Sequence, residues 1–176
     1  MILLNNIINR EYYLDDLITN SDDVDKNLKK IEATIRSSRL YKDWVYTIRD
    51  KYTIVNCDYF VDKNFNEDVD LEVHHIIFLS SIVKAVAYTM ISNLKENEYL
   101  TIYDIIERVL EAHMADIIPN ITLSTTIHQL YHTGQYSLHK DSKALHLGNY
   151  KKLLSQYGEF FNNDDIQNLT YFLNDT

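Results

Sequence analysis

Cysteine is nearly missing from this chain of 176 residues. The single thiol, Cys57, leaves no partner for an internal disulfide and rules out a cysteine-based zinc knuckle; a reducing compartment fits. Proline occurs once and glycine three times, so few sharp turns are available and helices should dominate. Long apolar runs are lacking too. The longest, residues 76–91, is interrupted by Ser80, Ser81 and Lys84, well short of the ~18 apolar residues a membrane-spanning helix needs. No cationic segment precedes the apolar residues 1–4, so a secretory signal is not expected. There is no Gly-rich phosphate loop, no G-x-S-x-G elbow and no evident carboxylate dyad, and Cys57 has no clear catalytic partner.

What is present suits one globular unit with a real core: 45% hydrophobic residues and 24% charged ones. The formal net charge of −9 counts against a strong non-specific nucleic-acid binder. The charge is uneven, however. Residues 26–52 carry eight cations against three acids, and residues 133–152 carry four against one. Two basic segments in an acidic chain are compatible with a local phosphate-binding face, although solvated helix faces are the commoner outcome.

Apolar spacing along the chain predicts helices over 24–36 (Val24, Leu28, Ile31, Ile35), 40–51 (Leu40, Trp44, Val45, Ile48), 79–94 and 102–113. Thr101 with Asp104 three residues on reads as a capping box. Residues 1–25 read as an acidic arm or short helix. Residues 52–62 and 69–77 read as two strands joined by a polar turn, a hairpin. Residues 120–123 read as a loop entering a helix over 124–132, which Gly134 stops. A short extended piece at 136–138 and helices at 145–157 and 164–173 complete the chain. The fold class expected is α+β, mostly helical, with a small β-hairpin and helix core embedded in helices.

Two stretches carry the chemistry. His74 and His75 close the second predicted strand, where neighbouring residues point to opposite faces, so a regular strand cannot offer both to one ion. His128 and His132 lie one helical turn apart and reach one side of their helix, a familiar arrangement for a divalent metal. The residues between them are Gln129, Leu130 and Tyr131, so no glutamate stands there as a metalloprotease base. Together the stretches predict three imidazoles around one metal ion, with a fourth left as a base.

This pattern resembles the HNH (His-Me finger) endonucleases. Glu72-Val73-His74-His75-Ile76 looks like the family's first strand motif. Leu123-Ser124-Thr125-Thr126-Ile127-His128-Gln129-Leu130-Tyr131-His132 looks like its helix motif. Arg36-x-Ser38-x-x-Tyr41-x-x-Trp44, then Ile48-Arg49-Asp50-Lys51-Tyr52 and Cys57-x-x-Phe60, resembles the lead-in found in phage HNH proteins. The likeness covers roughly residues 36–135. It implies an N-terminal acidic region over 1–35, an HNH-like core over 36–135 with a helical insertion at about 78–116, and a C-terminal helical extension over 136–176. The resemblance also implies roles. His75 would be the general base and Asn120 the residue that orients it; His74, His128 and His132 would hold a divalent ion (Mg, Mn, Ni or Zn) against a scissile phosphate. Where the family often has four knuckle cysteines, this chain has Cys57, Phe60, Ser124 and Ile127, and Asn120 sits one residue closer to Leu123 than usual. His113 at the end of the insertion is read as a buried histidine, with the alternative of an added ligand.

Two functions follow. One is a metal-dependent DNA endonuclease of phage origin. The other is an inactive phage accessory protein on a degenerate HNH scaffold, binding a host or defence protein in the infected cell's cytoplasm. A helical binding module without metal is a third and weaker reading. The discriminating feature is whether His75 faces an open basic groove or is occluded.

Overall fold

The computed structural model describes residues 16–51, 70–96, 98–138, 142 and 144–173. Among the described residues, seven α-helices enclose two small antiparallel sheets, the α+β, mostly helical class expected. The predicted strand over 52–62 and its turn lie outside the described residues, as do residues 1–15.

The first half is a helical stack. α1 (Ser21–Ser37) follows a short strand, β1 (Leu17–Ile18), and is capped by Asn20, whose side chain accepts from the N–H groups of Asp22 and Asp23. Its inward side chains Val24, Ile31 and Ile35 are fully buried, as their spacing requires. α2 (Arg39–Lys51) buries Tyr41, Trp44 and Ile48. β2 (Leu71–His75) leads to α3 (Leu79–Ser92), which buries Leu79, Ile82, Val83 and Val86. β3 (Leu100–Thr101) pairs with β1 and opens α4 (Ile102–Met114). Thr101 and Asp104 form the reciprocal capping box read from the sequence.

The second half departs from expectation in two places. Residues 120–124 are not a loop but a fully buried strand, β4 (Asn120–Ser124). It pairs antiparallel with β2 in the register Leu71↔Ser124 to His75↔Asn120. The chain then enters α5 (Thr125–His132), so strand, strand and helix follow in order, with α3, β3 and α4 inserted between the strands. The predicted helix over 145–157 begins instead with a two-residue strand, β5 (Leu145–His146), which pairs with β4; helix α6 covers only Tyr150–Tyr157. A 3-10 turn (Gly158–Phe160) and α7 (Asn163–Leu173) finish the chain.

The three-stranded sheet β2-β4-β5 is covered on both faces. Glu72 and His74 lie on the face that α5 covers, while Val73 and His75 face α2 and α4. This separation of adjacent histidines is what positions the site.

A candidate metal centre and a buried histidine pair

On one side of the sheet three imidazoles converge. His74 Nδ1 lies 3.0 Å from His128 Nε2, and His132 Nε2 lies 2.9 Å from the same atom. The ligand nitrogens of all three fall within 4.8 Å of one another. The i, i+4 spacing on α5 brings His128 and His132 together, and the β2–β4 pairing sets His74 beneath them. Tyr131 packs its ring edge-on against His74 at 4.8 Å. Burial, and then the two neighbouring imidazoles, push the His74 pKa down to about 3, so this ring is neutral at physiological pH.

Glu72 was not singled out as a site residue in the sequence. Its carboxylate oxygen Oε2 meets His128 Nδ1 in a short contact. The signal was present: Glu72 lies two residues before His74 and therefore on the same strand face. Its carboxylate fixes the Nδ1–H tautomer of His128 and turns the Nε2 lone pair toward the other two rings. One lone pair with two ring nitrogens at about 3 Å fits badly as a hydrogen-bonded trio. It fits a divalent cation bound at about 2.0–2.1 Å per nitrogen, which separates tetrahedral ligands by about 3.3 Å. Three imidazole nitrogens favour Zn or Ni over Mg, which takes oxygen ligands.

His75 lies on the other side. Its ring is buried, stacked on Trp44 at 5.5 Å between centroids and on Tyr41 at 6.2 Å. Its Nε2 lies 3.1 Å from His113 Nε2. His113 in turn donates its Nδ1–H to the Val109 carbonyl at 2.7 Å, which leaves Nε2 to accept from His75. Burial holds His75 well below an ordinary histidine pKa and takes His113 to about 4, so both rings are neutral. Asn120, opposite His75 in the register, is fully buried and donates from Nδ2 to the Ile118 carbonyl at 3.0 Å. Its Oδ1 has no hydrogen-bond partner among the described residues.

The fold thus brings together His74, His128 and His132 as one group and sets His75, Asn120 and His113 apart as another. The class defined is a mostly helical α+β protein with a three-histidine, metal-competent cluster on a strand–strand–helix unit. Among the described residues, no helix is long and apolar enough to cross a membrane. The chain belongs to the bacteriophage G278-like virion protein family, whose model matches residues 1–176, and it is therefore a phage protein. No curated protein and no solved structure matches it.

Proposed function

We propose that this chain is a non-enzymatic component of the phage particle, in which a divalent metal on His74, His128 and His132 clamps α5 to the sheet. The reading rests on one observation: the His75 imidazole, needed as a base for HNH-type hydrolysis, is turned into the core and bonded to His113. The local energetics agree with a structural metal. α5 is eight residues long and has no fully buried side chain, so neither its length nor its burial holds it strongly in place. A metal joining β2 to α5 ties together residues 54 apart in sequence (His74 and His128) and supplies what apolar packing lacks. The partners implied are other phage proteins of the particle, or a host protein that meets it.

A second reading is HNH-like phosphodiester hydrolysis. It is favoured by the partial exposure of the cluster: three protein ligands with His132 at the surface leave a coordination position for a substrate oxygen. The metal would stabilise developing charge on the phosphate, and His75 with Asn120 would have to leave the core to act as base and orienting residue.

The two readings separate in one experiment. Wild type and His75→Ala are incubated with plasmid and single-stranded DNA plus Mg, Mn, Ni or Zn, with metal content measured in parallel. We expect bound metal and no cleavage by either protein. Cleavage by wild type that is lost in His75→Ala overturns the structural reading in favour of hydrolysis.

A further inference from the structure

We infer that the solvent face of α1, continued onto the first turn of α2, docks on the phosphate backbone of duplex nucleic acid. The surface is separate from the metal centre and independent of it.

Charge is unevenly distributed in this chain of net charge −9. α1 turns Val24, Ile31 and Ile35 inward against α3 and α4. Its opposite face carries Lys26, Lys29, Ala33 and Arg36 at the 3–4–3 spacing of one helical stripe, with Lys30 beside them, all exposed. Arg39 and Lys42 continue the exposed cations into α2, which has no acid in its first turn.

Two of the acids nearby are diverted. Asp25 is drawn sideways to Lys84 on α3 at 2.7 Å, and Asp16 takes Lys30 at 2.5 Å. Asp43 approaches Arg39 only to 3.6 Å, between side chains that are both exposed. Lys26, Lys29, Arg36 and Lys42 form no ion pair among the described residues. Two acids stay beside the stripe: Asp22, one turn before Lys26, and Glu32, one turn after Lys29 and one turn before Arg36.

The chemistry of this face selects its partner. It offers no large apolar or aromatic anchor in its middle, where Ala33 leaves the surface flat. Protein interfaces draw their affinity from clustered aromatic and apolar anchors; such a cluster is lacking here, where Leu40 on the first turn of α2 is the exposed large apolar side chain. Single-strand binders stack bases on aromatic rings, which are lacking here too. A row of cations on long stems over a flat helix fits a regular polyanion. At 1.5 Å per residue, Lys26 to Arg36 spans about 15 Å, roughly four base-pair steps along a duplex. Contacts of this kind are sequence-independent.

The test is fluorescence anisotropy of the full chain on a labelled duplex of about 20 base pairs, titrated across roughly 20–200 mM salt. With about four phosphates neutralised, log affinity should fall against log salt with a slope of about −4. The triple variant Lys26→Gln/Lys29→Gln/Arg36→Gln should lose at least about tenfold in affinity at the lowest salt, flatten the slope toward about −1, and keep its Tm. Lys151→Gln/Lys152→Gln on α6 should bind like wild type. The inference is overturned if wild type does not bind at the lowest salt. It is equally overturned if the α1 variant binds as wild type does, or if the α6 variant loses as much as the α1 variant.

Discussion

Replacing either member of the buried histidine pair should destabilise the fold far more than replacing both. His75 and His113 share one N–H···N bond of 3.1 Å, and the second hydrogen of the pair is committed to Val109. In His75→Leu the Nε2 lone pair of His113 remains buried with no donor, an orphaned acceptor that costs about 1–3 kcal/mol. In His113→Leu the Nε2–H of His75 is orphaned instead, at a similar cost. The double change to leucine leaves neither group behind and restores an apolar contact for Trp44, which packs against both rings. The double change should therefore relieve both single penalties, with a coupling of about 2–6 kcal/mol in the double-mutant cycle, the sum of the two. For a chain of this length each kcal/mol moves Tm by about 2–4 °C, so each single variant should melt several degrees below wild type. The assay is urea denaturation of the four proteins, reading the midpoint and slope. A base exposed at an open site behaves otherwise: each single change falls within about 0.5 kcal/mol and the pair adds without coupling. Additive, near-neutral effects would refute the buried-pair geometry.

Other outcomes follow from the same geometry. Glu72→Gln keeps the side chain's shape but removes the carboxylate from His128 Nδ1; metal affinity measured by calorimetry should fall about 10- to 100-fold. Gly148 has φ +53, and a Cβ there would come within 2.4 Å of the Asp116 carbonyl oxygen, which also accepts from Asn149 N–H. Gly148→Ala should therefore destabilise by about 2–3 kcal/mol in thermal melts, by left-handed strain together with displaced backbone. The fold should also weaken in acid. The unfolded chain protonates His113 near its ordinary pKa of 6.5, while the folded chain holds it neutral down to about 4. The unfolded state then binds more protons below about pH 6.5, and stability drains away as pH falls from there toward about 4, by about 3 kcal/mol in all. Urea midpoints at pH 7.5 and pH 4.5 measure this, and an unchanged midpoint would contradict it.

The helices were the most legible part of the sequence because their information is local. α1, α3 and α4 announce themselves by apolar spacing, and Thr101 with Asp104 marks an N-terminus within four residues. The strands were less legible because their partners are distant. Asn120–Ser124 alternates polar and apolar residues, yet five residues beside Pro119 read as a loop until β2, far back in the chain, is placed against them. β5 has two residues and no periodicity to find. The convergence of His74, His128 and His132 was foreseeable from the i, i+4 spacing of His128 and His132 and from His74 on a strand. The placement of His75 was only half foreseeable. Strand alternation states that it points away from His74, but that it meets His113 depends on α4 packing across the sheet, which no local pattern encodes.

In the proposed structural role, His74, His128 and His132 share one ion that holds α5 in place. The most direct measurement is the Zn(II)-dependent melting temperature of wild type beside His132→Ala, with bound metal counted in the same samples. The account predicts about one ion per chain in wild type and a Tm rise equivalent to roughly 3 kcal/mol when zinc exceeds its Kd about a hundredfold, both lost in His132→Ala. A wild-type protein that holds no zinc and melts at the same temperature with or without it would contradict the account.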